Sequence, residues 1–284
     1  MQPTNNAIYI VKNKNDIYGS LVQRTLRAGL SCLFLLALTT ELSGQETSVT
    51  TYKALGGGLC AVQDTYLSPE EYKGGEIRYI SHTIRQKSGK RWETLIINEG
   101  YGAYGKSRSE NGATISGAYH FLYGRLANIS IFNGAATLKA GGQGEITAGM
   151  VYNTRNGNNP AQAIAAIALG PVVRIEYPVK RMLISYEATC PLAGLTFSPN
   201  YGQSYYEIFN EGHYDHNVVP TTIAATPSLR HTLCIDVPIG KMKCLFGIYG
   251  DYRQQQVNNL KRHIYTSGII VGMIRKFNVG RAEK

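Results

Sequence analysis

The side chains best equipped for chemistry gather between residues 204 and 216, inside the stretch 191–227. They are Ser204, Tyr205, Tyr206, Glu207, His213, Asp215 and His216. Ser204 as nucleophile, with His213 or His216 as base and Asp215 or Glu207 as orienter, would make a hydrolytic triad, which is recognised by geometry and not by chain order. Ser204 lies in Gly202-Gln-Ser-Tyr, however, without a surrounding G-x-S-x-G elbow. His213-Tyr-Asp-His216 with Glu207 offers imidazole and carboxylate ligands for zinc or calcium, but not as an i, i+4 helical pair. A structural reading folds Tyr205, Tyr206 and Phe209 inward as a plug and pairs Glu207 with an interior arginine such as Arg174, Arg181 or Arg253. A binding reading displays the same aromatic loop outward to a glycan, lipopolysaccharide or protein. The structural and binding readings lead. The sequence assigns no catalytic residue, no metal and no cofactor.

A loop this long inside a compact domain is functional or disordered, and the elements that hold it are strands. From Gly75 onward, segments of about ten residues alternate apolar with polar or small residues, which is the period of a strand. In 75–85, Ile77, Tyr79, Ser81 and Thr83 oppose Glu76, Arg78 and His82. Comparable segments are read at 91–101, 113–125, 129–139, 145–153, 164–177, 181–190, 228–237, 241–253 and 263–277. Pro171 counts against the sixth, because proline cannot donate to a ladder. Gly141-Gly-Gln-Gly144 and Gly56–Gly58 read as turns and not as phosphate cradles, since neither precedes a helix with a suitably spaced lysine.

These segments exceed the usual globular strand of about 5–6 residues and suit a tilted membrane strand of about 9–11. With 20 Tyr against one Trp, many near segment ends, the chain carries material for interfacial aromatic girdles. The expected fold is all-β: a transmembrane antiparallel β-barrel of about 10–12 strands spanning 75–277, with a tail at 278–284. Its apolar face meets lipid, and its polar face lines the lumen. The interior set is then Glu76, Arg78, Arg174, Glu176, Glu187, Lys243, Asp251 and Arg253, mixed in sign so that buried charges can pair. If the segment at 75–85 rises from the periplasm, the periplasmic connections are 102–112, 140–144, 178–180 and 238–240. The external ones are 86–90, 126–128, 154–163, 191–227 and 254–262.

Residues 1–44 have the layout of a secretory signal: Arg24 and Arg27, an apolar run from Ala28 to Leu38, then Ser43 and Gly44. The polar residues 1–20 are an upstream extension, consistent with translation starting near Leu21 or Val22. Residues 45–74 are expected to be a periplasmic lead-in that holds at most one short strand, at Ser48–Lys53. Of the formal +10 charge, the signal segment accounts for two, leaving about +8 on about 240 residues without a basic run. Nucleic acid is therefore not an expected partner. Outer-membrane lipid, lipopolysaccharide phosphates and envelope proteins are. Cys60, Cys190, Cys234 and Cys244 match no metal or disulfide pattern and read as small apolar fillers.

Tyr66-Leu-Ser-Pro-Glu-Glu-Tyr72, Asn158-Asn-Pro160, Pro191-Leu-Ala-Gly194, the segment from Phe197 to Phe209 and Asn258-Asn-Leu260 resemble an uncharacterised family of secreted bacterial proteins, domain of unknown function 3316. The resemblance implies an outer-membrane β-barrel in a Gram-negative bacterium, and it brings no activity or catalytic residues. The functional expectation is an integral outer-membrane barrel with a structural, binding or accessory role, a narrow pore included, and non-enzymatic. The alternative is a membrane-embedded hydrolase acting on lipid or lipopolysaccharide.

Overall fold

A computed structural model describes residues 46–280; the segment read as a signal lies outside them, as do residues 281–284. The described chain is almost entirely strand: β1 (Thr47–Asp64), β2 (Ser68–Lys87), β3 (Trp92–Ser107), β4 (Ala113–Ile131), β5 (Ala136–Asn153), β6 (Ala161–Val179), β7 (Met182–Thr189), β8 (Ala193–Phe197), β9 (Val218–Thr222), β10 (Ser228–Ile239), β11 (Met242–Val257) and β12 (Leu260–Val279). One short helix, α1 (Tyr205–Phe209), interrupts them, and a 3-10 turn links β4 to β5.

All pairings are antiparallel, and β1–β12 together with β5–β6 close the sheet on itself. β8 continues β7 along β6, and β9 continues β10, so the wall is a barrel of ten staves. The break in the seventh stave lies beside Pro171. The ladder from Val172↔Thr189 resumes at Leu169↔Ala193, and the residue that cannot donate sits at the gap. Following paired residues around the wall from Ser48, through Gln86, Glu93, Leu126, Gly141, Val172, Thr189, Arg230, Asp251 and Thr266, returns to β1 at Cys60. This stagger tilts the strands and leaves an interior that side chains can fill.

The polarity is that of a membrane barrel. Leu59, Ile77, Leu169 and Ile269 are each more than 60 % exposed on the outer face, while Arg78, Glu99, Glu187 and Arg230 are buried inside. Two apolar clusters occupy the lumen. One, in the half nearer Thr47, contains Tyr52, Ile80, Leu95, Ile97, Leu122, Leu245 and Ile270. The other, in the half nearer Asp64, contains Cys60, Val62, Tyr101, Val151, Ile164 and Ile264.

The strand map corrects the reading of the sequence in three places. Residues 45–74 are not a lead-in: they hold β1 and the start of β2. The run Gly56–Gly58 hid β1 because a Cβ at Gly58 would collide with the Ser267 carbonyl, so the wall itself demands glycine there. Residues 129–139 and 145–153 are not two strands. β4 runs on to Ile131, and β5 passes unbroken through Gly141–Gly144, where a Cβ at Gly141 would strike the Arg125 carbonyl. One strand missed and one invented kept the total, but they inverted the ends: 86–90 lies at the end of the barrel that holds Thr47, and 102–112 at the other. Finally, 191–227 is not all loop, since β8 and β9 lie within it.

Because Ile248 faces outward at mid-wall, Ile248→Arg is expected to destabilise the folded barrel by about 2–4 kcal/mol. Ile248→Val should stay close to wild type. Urea unfolding in lipid vesicles measures the difference.

Candidate functional site

Two features of the interior invite a functional reading: the charged lumen and the loop 198–217 that lies over its mouth. In the lumen, Arg78 on β2 is within ion-pair distance of three carboxylates: Glu76 at 3.0 Å, Asp251 at 3.3 Å, and Glu99. Its guanidinium also donates to the Thr266 hydroxyl at 2.7 Å and lies over the rings of Tyr101 and Tyr249 at 4.9 and 4.8 Å. Glu99 is shared with Arg230 at 2.5 Å, and Arg230 reaches Glu187 at 3.6 Å. Glu187 accepts from Arg174 at 3.3 Å and contacts His82 at 2.9 Å. The chain continues from Arg174 to Glu176, then to Lys139 and Glu93. On the other side Asp251 holds Arg253, which bonds Glu145 at 2.6 Å, and Glu145 meets His120.

The network thus joins β2, β3, β4, β5, β6, β7, β10, β11 and β12 across the lumen. Glu76, Arg78, Arg174, Glu176, Glu187, Asp251 and Arg253 are all members. Glu93, Glu99, Lys139, Glu145 and Arg230 were not singled out in the sequence, although alternation places each on the inward face. Lys243 is on the inward face as assigned, paired with Ile274, but it is exposed at the end of the barrel, next to the turn that ends β10, and takes no part in the network.

The loop is held by its own polar side chains. Ser204 caps α1: its Oγ accepts from the Glu207 N–H at 3.2 Å, while Glu207 Oε2 accepts from the Ser204 N–H at 2.6 Å and its hydroxyl at 3.1 Å. This reciprocal box spends the one hydroxyl that a triad would need. Its two hydrogen bonds also hold the Glu207 carboxyl below the ordinary glutamate range. His213 contacts Glu211 at 3.6 Å, and His216 lends its carbonyl to Asn258. Asp215 lends its carbonyl to Asn200 at 2.7 Å. Ser204, His213, Asp215 and His216 are therefore not assembled into a triad. Nor does Glu207 reach Arg174, Arg181 or Arg253. No group of three His, Cys, Asp or Glu side chains among the described residues is placed to hold a metal.

The helix faces the mouth through residues that the sequence reading only half identified. Tyr205 does turn inward, its hydroxyl accepting from the Ala163 N–H at 2.7 Å and its ring meeting Tyr66 edge-on. Ile208, buried to 1 %, is the other inward side chain, whereas Tyr206 and Phe209 are 63 % and 61 % exposed. The signal was available: a box at Ser204-x-x-Glu207 sets the helix register, and Tyr205 and Ile208 share a face at i, i+3. Tyr66, in the β1–β2 turn on the far side of the barrel, donates to the Gln203 carbonyl at 3.0 Å. Asn258 in the β11–β12 turn donates to Ser198 and His216 carbonyls at 3.1 and 3.0 Å. The loop is a lid stitched to the β1–β2 and β11–β12 turns at one end of the barrel.

The sequence model of a family described as a protein of unknown function, DUF3316, matches residues 28–284. The chain belongs to the DUF3316 family. No curated protein matches it. Among solved structures, this DUF3316 member is similar to the Neisserial surface protein A, at 12% identity and a TM-score of 0.34, covering 83% of this chain and 98% of that one. It is likewise similar to the outer-membrane protease OmpT of Escherichia coli, at 9% identity and a TM-score of 0.38, covering 84% and 100%. The attachment invasion locus protein Ail of Yersinia pestis aligns at 10% identity and a TM-score of 0.27, covering 82% and 100%.

Removing a partner from the network strands a buried charge, so Glu99→Ala, which leaves Arg78 and Arg230 short of a carboxylate, is expected to cost about 3–5 kcal/mol in urea unfolding. The lid is expected to respond to acid. A depressed carboxyl adds stability that is full above its unfolded pKa and is lost as pH falls through the folded value. Proteolysis within 198–217 should therefore rise as pH drops below the ordinary glutamate range, near about 4. In Glu207→Gln that pH dependence should disappear.

Proposed function

We propose that this chain is an integral outer-membrane barrel, exported behind a cleaved signal at 1–44, that is plugged by its own interior and works without catalysis as a scaffold presenting its lid. The observation that carries the reading is the ion-pair network spanning the lumen, with apolar clusters filling the halves to either side. A pore needs a water-filled path, and here buried side chains occupy the place of that path. The outward apolar band supports membrane residence. The engagement of the Ser204 hydroxyl in a helix cap weighs against the hydrolase alternative.

The lid supports a binding or accessory role. It is rigidified by side-chain hydrogen bonds yet leaves Tyr201, Tyr206, Phe209 and Tyr214 exposed. Pre-ordered aromatic side chains contact a partner at low entropic cost. Lipopolysaccharide and envelope proteins are the partners that this surface and location would meet.

Two measurements test the reading. The protein is expected to partition with the outer membrane and to migrate differently on a detergent gel before and after boiling. Reconstituted in a planar bilayer it is expected to give no stepwise conductance. Steady channels from the wild type would overturn the plugged-barrel reading, and a soluble protein without a heat shift would overturn the membrane reading.

A further inference from the structure

The outer face of the wall is not uniformly apolar. In the half nearer Thr47, on β12, β1, β2 and β4, four exposed cations point outward: Arg275, Lys53, Arg85 and Arg125. Alternation fixes their direction, because the adjacent residues Tyr52, Ile84 and Leu126 are buried inside and Ile274 packs against the first apolar cluster. The register sets hydroxyls between them. Arg275 pairs with Thr51, which pairs with Thr83; Lys53 pairs with Ser81; and Thr94 stands between Arg85 and Arg125. Side chains on the same face of directly paired residues are about 4.5–5.5 Å apart at Cβ. Arg85, Thr94 and Arg125 therefore form two guanidinium arms over a hydroxyl.

These cations have no partner among the described residues, unlike those of the lumen. No carboxylate shares their outward face in this half of β1–β4 and β12, since Glu93 and Glu99 point inward. The far side of the barrel shows what an ordinary lipid face looks like: Val173, Ile175, Leu233, Ile235, Phe246 and Ile248. Charge on the lipid face is costly unless its surroundings answer it. Lysine and arginine there extend their heads toward the interface.

We infer that this patch is a binding site for the phosphate headgroup of an anionic phospholipid in the leaflet on the Thr47 side. The inference rests on the membrane reading above. Acyl chains alone would leave four cations unanswered, and a second copy of this face would set like charges together. A phosphodiester takes hydrogen bonds from both arginines and the intervening hydroxyl, the geometry in which arginine is at its best.

The test reconstitutes the full chain in phosphatidylcholine bilayers with spin-labelled phosphatidylglycerol or spin-labelled phosphatidylcholine as the probe. The motionally restricted fraction of each reports its affinity for the protein surface. Phosphatidylglycerol is expected to be preferred by roughly fivefold or more, the scale of one or two basic side chains at a membrane surface. The preference should fall to parity in the combined variant K53Q, R85Q, R125Q and R275Q. It should persist in K106Q with K261Q, which alters cations at the opposite rim. Parity in the wild type, persistence in the fourfold variant, or loss in the rim control would each overturn the inference. Heat-modifiability of each variant separates the cases: a chain that never inserts overturns the membrane reading itself, whereas a folded barrel without preference overturns this site alone.

Discussion

Charges taken out of water must find other charges, and in this barrel they can do so only across the lumen. Each of Arg78, Arg230, Arg174 and Arg253 is held by carboxylates from other strands. The desolvation cost of such groups is several kcal/mol per ion and is offset only when geometry and hydrogen bonding are complete. Strand register is therefore coupled to charge pairing. Slipping one strand by a residue would turn its carboxylates to lipid and leave arginines alone inside. The backbone ladder permits many registers, and the network tolerates few.

The outer face and the lid follow from the same constraint. With the interior committed to self-neutralisation, the apolar surface has to be outside, and a hydrocarbon environment is what such a surface fits. The lid meets Tyr66, which packs against the second apolar cluster, and it is fastened by hydrogen bonds to the β1–β2 and β11–β12 turns.

Much of this was legible in the sequence, and the failures have physical causes. Alternation in 75–85 placed Glu76, Arg78 and His82 inward and Ile77 and Tyr79 outward, as in the structure. Alternation fails where glycine replaces a side chain to let neighbouring backbones approach. Gly56–Gly58 concealed β1, and Gly141–Gly144 split β5 in two. Ion-pair partners were not legible because they depend on the stagger around the barrel, which brings Glu99 to Arg230 from strands far apart in sequence. Ser204 was legible in two ways. As a nucleophile it needed a distant histidine, and as a helix cap it needed only Glu207, three residues on.

The interrupted staves have a consequence of a different kind. Below the break, β7 pairs with β10 and completes the cylinder without help from above. β8 and β9 pair with each other, and only β8 attaches to the wall through a ladder, at β6. Toward β11 there is no ladder, only two backbone hydrogen bonds, from Gln254 to Pro227 and from Gln256 to Ala225, beside side-chain bonds from Thr196 to Gln255 and from Asn258 to the Ser198 and His216 carbonyls. The hairpin thus tops a cylinder already closed by β7 and β10, and the lid hangs from the part of the wall with the fewest ladders. A change in the length of the 198–217 loop would break none of the ladders of the wall beneath it.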